Sequence, residues 1–352
     1  MTAAPHVGRL AAGPRGTIAD VPGVGVGHAT LADGDLQTGV TVIRLHAHDP
    51  FLHKVPAAAV VINGFGKSAG LMQLNELGVL ETPIALTTTL SVGTIVMAQV
   101  RAAIAAHPGL ARTTTTVNPL VFECNDGYLN DAQALAITEA HYLQALAAAA
   151  PEFARGAIGA GRGMSCFGLK GGIGTASRLT GNSPGNWTMG ALVLANFGQL
   201  ETLTLAGRAA GPPLALRLAA RAAQAAAPQR DQGSIIVVLA TDAPLDHRQL
   251  RRVATRAAAG IGRTGSYYGH GSGDIALAFS TAATVPHDAP HPVRDTRVLA
   301  ESRLDPLFEA AAEVTEQAII DALLTAETVT GFAGHTRYAL ADLAPDWREL
   351  VR

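Results

Sequence analysis

Gly233-Ser234 is the pair of residues in this chain with the most chemistry to offer. It follows the polar approach Asp231-Gln232 and opens the apolar, partly β-branched run Ile235-Ile236-Val237-Val238-Leu239-Ala240, which stops at Thr241-Asp242-Ala243-Pro244. The run has the length of a buried strand. Upstream, Gly211-Pro212-Pro213, an Ala-rich tract over 214–227 and Pro228-Gln229-Arg230 read as an exposed helix and a linker. A Gly–Ser bond at such a linker-to-strand junction is a place where a chain can cut itself. The Ser234 hydroxyl attacks the Gly233 carbonyl, water hydrolyses the ester, and Ser234 becomes a new N-terminus. Its freed α-amine, with an ordinary pKa of about 7.7–8, can then act as the base for its own hydroxyl. Many strands begin with Gly-Ser for ordinary reasons, so this reading depends on what the rest of the chain supplies.

Gly271-Ser272-Gly273-Asp274 precedes a second strand-like run, 275–280. A serine and a carboxylate two apart can face the same way at a strand start and orient the Ser234 ammonium or hydroxyl; the alternative is a simple turn use of both residues. The stretch 122–131 reads as a turn-rich loop, in which Glu123 and Tyr128 flank the turn signal Asn125-Asp126-Gly127. A Tyr128 hydroxyl or an Asn196 amide could stabilise an oxyanion, and each equally suits an ordinary satisfied polar group. The cluster Gly159-Ala160-Gly161-Arg162-Gly163 lacks the third-glycine spacing and the following helix of a dinucleotide fingerprint, so it reads as close backbone packing. Gly181-Asn182-Ser183-Pro184-Gly185 is a literal GxSxG without the strand-to-helix turn of a nucleophile elbow, and reads as a surface loop. The 12 histidines include no HExxH or other ligand-spaced pair, so no catalytic metal and no cofactor is expected. His28, His270 and His335, each beside glycine, read as turn or surface residues.

These groups need a scaffold, and 352 residues with 48% apolar and only 15% charged side chains can bury a large core. The net charge of −2 argues against nucleic-acid or anionic-membrane partners. Cys124 and Cys166 are far apart, outside any CxxC pattern, and read as buried small side chains. No apolar h-region opens the chain and no apolar run approaches a membrane span, so a soluble, cytoplasmic enzyme is expected. Strands are expected over 39–45, 57–62, 83–90 and 187–196, and helices over 68–80, 94–106, 246–259 and 306–326. A further helix is expected over 132–150, capped by Asn130 or Asp131. The loose alternation, without a fixed repeat, predicts one layered α/β domain.

Taken together, the segments resemble the L-aminopeptidase/D-esterase family of the DmpA type, which includes the β-peptidyl aminopeptidases. The match runs in order through Ile18-Ala19-Asp20-Val21-Pro22-Gly23-Val24, Asn63-Gly64-Phe65-Gly66, Glu81-Thr82-Pro83-Ile84-Ala85-Leu86-Thr87 and Asn125-Asp126-Gly127-Tyr128-Leu129-Asn130-Asp131. It continues through Gly159-Ala160-Gly161, Lys170-Gly171-Gly172-Ile173-Gly174-Thr175, Ala195-Asn196-Phe197-Gly198, Gly233-Ser234-Ile235-Ile236 and Gly271-Ser272-Gly273-Asp274. The resemblance implies a four-layer αββα sandwich, like the N-terminal-nucleophile hydrolases but with different connectivity. It implies self-cleavage of one catalytic domain into 1–233 and 234–352, and a homo-oligomer, a tetramer of such pairs. It makes Ser234 the nucleophile, Ser272 and Asp274 the groups that tune it, Asn196 and Tyr128 the oxyanion donors, and Glu123 the partner of the substrate amine. Substrates would be short peptides, amides or esters with a free N-terminal amine. Some β-peptidyl members carry Glu where Asp274 stands, so the shorter carboxylate bears on β-peptide preference. Three other readings are an acyltransferase related to the ornithine acetyltransferases, whose nucleophile is Thr, a non-catalytic binding protein, and a nicotinamide-dependent oxidoreductase.

Overall fold

The computed structural model describes residues 4–181, 185–221, 233–289 and 291–351. The middle of the GxSxG segment and the linker, including Asp231 and Gln232, lie outside the described residues.

Two sheets lie face to face. The long strands of the larger one run in the order His53–Gly64, Gly273–Ser280, Ser234–Thr241, Thr188–Asn196 and Gly172–Leu179. The smaller sheet holds Gly25–Asp33, Leu36–Arg44, Ile84–Thr88 and Leu120–Cys124 in that order. Strand alternation divides the Ser234 strand between two cores. Ile236, Val238 and Ala240 meet Ile43, Leu86 and Phe122 of the smaller sheet, while Ile235, Val237 and Leu239 face the other way. That outer face is covered by helices His247–Thr255, Ala257–Arg263 and the long Asp305–Thr325, through Leu250, Ile261 and Val314 among others. Helices Val92–Ala106 and Glu139–Ala147 cover the outer face of the smaller sheet, with Ile95, Ala98 and Tyr142 packed on Val40, Val42 and Ala85. The order is helix, sheet, sheet, helix: the expected αββα sandwich. Burial on both faces is why the Ser234 strand reads as an unbroken apolar run.

The Ser234 and Gly273 strands are parallel, whereas the other long pairings in the larger sheet are antiparallel. A parallel pair needs a crossover, supplied here by the helices between residues 247 and 263. The result brings the beginnings of two strands side by side, which an antiparallel hairpin would not do.

Four expectations need correction. The helix expected over 132–150 is a short 3-10 turn, Ala132–Ala134, followed by Glu139–Ala147. Leu135 takes a positive φ of 47°, and Thr138 starts the helix anew with a capping box. The helix expected over 246–259 is two, because the first packs on the sheet and the second on the Asp305–Thr325 helix, with a break at Arg256. Glu123 belongs to strand Leu120–Cys124 rather than to the loop after it. One stretch, Thr89–Ala106, is long and apolar enough to cross a membrane by length and composition. It is the helix whose inner residues Val92, Ile95 and Ala98 are buried on the smaller sheet.

Candidate active site

Four strand ends meet in one row. Asn196 is opposite Ser234, Ser234 is opposite Gly273, and Gly273 is opposite Gly64. Ser234 is 5% exposed, and its Oγ accepts a hydrogen bond from the Gly273 N–H at 3.1 Å. The row is this tight because Gly273 within it, and Gly233 just before Ser234, lack side chains. A Cβ on Gly273 would stand 2.6 Å from the Phe65 carbonyl oxygen and 3.0 Å from Ser234 Oγ. A Cβ on Gly233 would overlap the Asn196 carbonyl oxygen.

On either side of Gly273, the residue opposite Ser234, lie Ser272 and Asp274; the Ser272 hydroxyl donates to Asp274 Oδ1 at 2.6 Å, and both residues are buried. The loop that carries them is pinned by Asn63. Its amide donates to the carbonyls of Gly269 at 3.2 Å, His270 at 3.3 Å and Ser272. On the other side, the Asn196 amide is oriented at both ends. Its Oδ1 accepts from the Ser165 N–H at 2.8 Å, and its Nδ2 donates to the Asn125 carbonyl at 2.9 Å. An amide nitrogen carries two hydrogens, so the geometry that fixes one also aims the other.

The Asn125 loop is held by Asp126, whose Oδ1 accepts from Thr88 Oγ1 at 2.6 Å and from Asn130 Nδ2 at 3.1 Å. Burial pushes the Asp126 carboxyl above its ordinary range, against these hydrogen bonds. Tyr128 lies on the same loop, three residues after Asn125. Its ring is stacked on His335, with centroids 4.6 Å apart and planes 9° apart. The Arg337 guanidinium carbon lies 3.5 Å from the same ring centroid.

Glu123 approaches from the smaller sheet. It is 3% exposed, and its Oε1 accepts from the Lys67 N–H at 2.8 Å. A Cβ on Gly66 would lie 3.4 Å from that oxygen and 3.9 Å from the Gly273 Cα, so a bare backbone at Gly66 is what lies between the carboxylate and the Ser234 row. Next to Glu123, the Cys124 thiol donates to the Ser234 carbonyl at 3.3 Å. Burial, then the nearby Glu123 and Asp274 carboxylates, push that thiol well above its ordinary pKa. It is a protonated donor that ties the two sheets together, not a nucleophile.

The glycine cluster after residue 158 is packing, as expected. A Cβ on Gly161 would stand 2.6 Å from the Ile173 nitrogen. Buried Lys170 donates to the carbonyls of Gly161, Met164 and Gly171 at 2.7–2.9 Å, so all three hydrogens of an ammonium are used. Burial nonetheless pushes its pKa well down. Among the described residues, no group of three or more His, Cys, Asp or Glu side chains is arranged to hold a metal ion.

The row of strand ends, a buried serine flanked by an oriented amide and a Ser–Asp pair, has a counterpart in sequence. The pattern of Peptidase family S58 matches residues 16–337. The chain belongs to peptidase family S58. It is 38% identical over 342 residues to the beta-peptidyl aminopeptidase BapA of Sphingosinicella microcystinivorans, covering 92% of this chain and 85% of that one. Its fold superposes on a Burkholderia sp. beta-aminopeptidase with a TM-score of 0.89 at 38% identity, covering 98% and 97% of the two chains. The L-aminopeptidase D-Ala-esterase/amidase of Ochrobactrum anthropi, described as a prototype serine aminopeptidase with a variant of the Ntn hydrolase fold, superposes with a TM-score of 0.86 at 34% identity, covering 97% of each chain. This S58 chain is accordingly a serine aminopeptidase of the DmpA type.

The sequence did not single out Asn63 as the anchor of the Ser272 loop, nor Ser165 and Arg337. Asn63 carried a signal, since Asn-Gly ends an apolar run. Ser165 and Arg337 carried none, because their partners lie 31 and 209 positions away in the chain.

Proposed function

We propose that this S58 chain matures by cutting its own Gly233–Ser234 bond and then uses Ser234 as an N-terminal nucleophile. In maturation, Ser234 Oγ attacks the Gly233 carbonyl carbon, the C–N bond breaks, and the hydroxyl proton passes to the departing amine. Water then cleaves the ester, leaving a Gly233 carboxylate and a free Ser234 amine. The observation that carries this reading is the placement of Ser234. It is buried at the first position of a strand, with its Oγ on the Gly273 N–H and Gly233 wedged against Asn196.

In the mature enzyme, the amine of the substrate docks on Glu123, as a buried carboxylate needs a cationic partner. Ser234 Oγ attacks the scissile carbonyl, its proton passing to the Ser234 amine with the Ser272–Asp274 pair orienting the transfer. The Asn196 amide and the Tyr128 hydroxyl stabilise the tetrahedral oxyanion, and water or an amine releases the acyl group. Substrates are short peptides, amides or esters with a free N-terminal amine. The beta-peptidyl aminopeptidases among its relatives bring β-peptides into this class, and the shorter Asp274 makes both α- and β-aminoacyl substrates the ones to compare. The pairs assemble into a homo-oligomer.

An intact-mass spectrum of denatured protein tests the cut. Two species of the masses of 1–233 and 234–352 support it, and a single 36.1 kDa chain that hydrolyses β-alanyl and L-alanyl p-nitroanilides overturns it.

A further inference from the structure

The two proposed oxyanion donors sit on different elements, Tyr128 on the Asn125 loop and Asn196 at a strand end. A third element joins their supports. Strands Val329–Thr330 and Thr336–Arg337 form a small hairpin from the far end of the chain. It closes over the Tyr128 loop: Phe332 N–H donates to the Leu129 carbonyl at 2.8 Å, and His335 Nδ1 lies 2.9 Å from the Tyr128 carbonyl oxygen. From this hairpin, the Arg337 guanidinium covers the Tyr128 ring at 3.5 Å. Its Nε donates to Ser165 Oγ at 3.1 Å. The backbone N–H of the same Ser165 holds Asn196 Oδ1 at 2.8 Å.

We propose that Arg337 is a positioning residue that locks Tyr128 and Asn196 into one oxyanion hole. The side chain suits the task. A planar guanidinium can stack on an aromatic face and donate from its edge at once, which a lysine ammonium cannot. His335 takes the opposite face of the ring, since two flat groups this close to one centroid cannot share a side. Tyr128 is thereby clamped in a plane, and that plane is tied through one serine to the Asn196 amide. Arg337 lies after residue 234, so self-cleavage leaves the clamp on one product chain and both donors on the other. The hole is then complete only while the two chains stay together.

This inference rests on the reading that Tyr128 and Asn196 hold the oxyanion, and the two are separable by kinetics on the matured enzyme with an aminoacyl p-nitroanilide. Arg337→Met is expected to lower kcat by up to about 100-fold, the cost of a displacement near 1 Å, with KM within about twofold. Arg337→Lys, which keeps the cation and loses the fork, should fall between. Ser165→Ala cuts only the link to Arg337 and keeps the backbone N–H, so it carries the test if Arg337→Met fails to fold or mature. It should lower kcat severalfold. In a Tyr128→Phe background the cost of Arg337→Met should shrink, because the clamp then holds a ring without its hydroxyl. Unchanged kcat in Ser165→Ala and Arg337→Lys, or equal Arg337→Met costs in both backgrounds, overturns the proposal. If Tyr128→Phe and Asn196→Ala themselves leave kcat unchanged, the oxyanion reading falls, and this inference with it.

Discussion

A Cβ on Gly233 would overlap the backbone carbonyl oxygen of Asn196 and stand 2.6 Å from the Cα of Phe197. The residue before the proposed scissile bond is thus pressed against the strand that ends in Asn196, the proposed oxyanion donor. Gly233→Ala must push that backbone away, and a displacement near 1 Å can cost about 100-fold in a reaction that depends on alignment. Self-cleavage of Gly233→Ala should slow at least about tenfold, read as the persistence of the full-length chain by mass spectrometry over time. Cleavage at the parent rate would show that this close contact does not set the attack geometry.

Ser272 and Asp274, the buried neighbours of the Gly273 that pairs with Ser234, are joined by a 2.6 Å hydrogen bond. Ser272→Ala removes the donor but keeps the carboxylate charge, whereas Asp274→Asn keeps the shape and removes the charge. If the pair orients proton transfer at Ser234, both substitutions should lower kcat, by about 100-fold in the range seen for positioned proton-transfer groups. Asp274→Asn should also lower the pKa governing kcat/KM, because a nearby carboxylate holds the Ser234 ammonium charged. A pH profile that does not move in Asp274→Asn would remove the carboxylate from the proton path.

His28, expected at a turn or the surface, instead lies within strand Gly25–Asp33, and it links the fold to pH. Its Nδ1 lies 2.9 Å from Thr41 Oγ1 and its Nε2 3.1 Å from the Ala154 carbonyl oxygen. Burial lowers its pKa from 6.5 to about 4, the Ala154 contact opposing the shift only in part. The folded state therefore keeps His28 neutral where the unfolded chain binds a proton. Stability is unaffected by this group above its unfolded pKa of about 6.5 and falls as pH drops from there toward about 4. The urea midpoint should decline over that window, and His28→Gln should flatten the decline. An equal slope in the variant would assign it to other groups.

The fold was legible where one residue pattern answers to one environment. The short, partly β-branched apolar run from Ile235 to Ala240 fits a strand buried on both faces, and the Pro306-to-Leu323 periodicity matches the helix Asp305–Thr325. The run over 132–150 misled because its alanines carry no information about where a helix stops. The break is made by a left-handed Leu135 and a new cap at Thr138. Glu123 looked like a loop residue because a polar run follows it, yet its strand is fixed by pairing with Thr87 of a neighbouring strand. Within the site, Ser234, Ser272 and Asp274 sit next to glycines that announce a close approach. Arg337 is invisible by the same logic, since a cation in a C-terminal tail reads as solvated until the hairpin is seen to fold over Tyr128.

Among the described residues, five ion pairs across the proposed cut join an arginine before residue 233 to a carboxylate after it: Arg9–Glu309, Arg155–Asp321, Arg162–Glu327, Arg178–Glu313 and Arg217–Asp346. They are not equal. Arg162–Glu327 has a carboxylate 68% exposed, while Arg178 and Glu313 are 2% and 3% exposed. Arg178 also donates to the Val7 carbonyl at 2.6 Å and to Gln317 Oε1 at 3.1 Å, and Glu313 accepts from the Arg9 N–H at 2.8 Å. Exposed pairs contribute about 0–1 kcal/mol and are screened by salt, but removing one partner of a buried pair costs about 3–5 kcal/mol. Glu313→Gln should therefore destabilise the matured enzyme by that larger amount in urea at neutral pH, and Glu327→Gln by no more than the smaller. The apolar core between the chains and this pair should also keep them together on gel filtration in about 1 M salt, where exposed charges are screened within about 3 Å. Separation of the chains in salt, or equal costs for the two substitutions, would show that the surface pairs rather than the buried one join the halves.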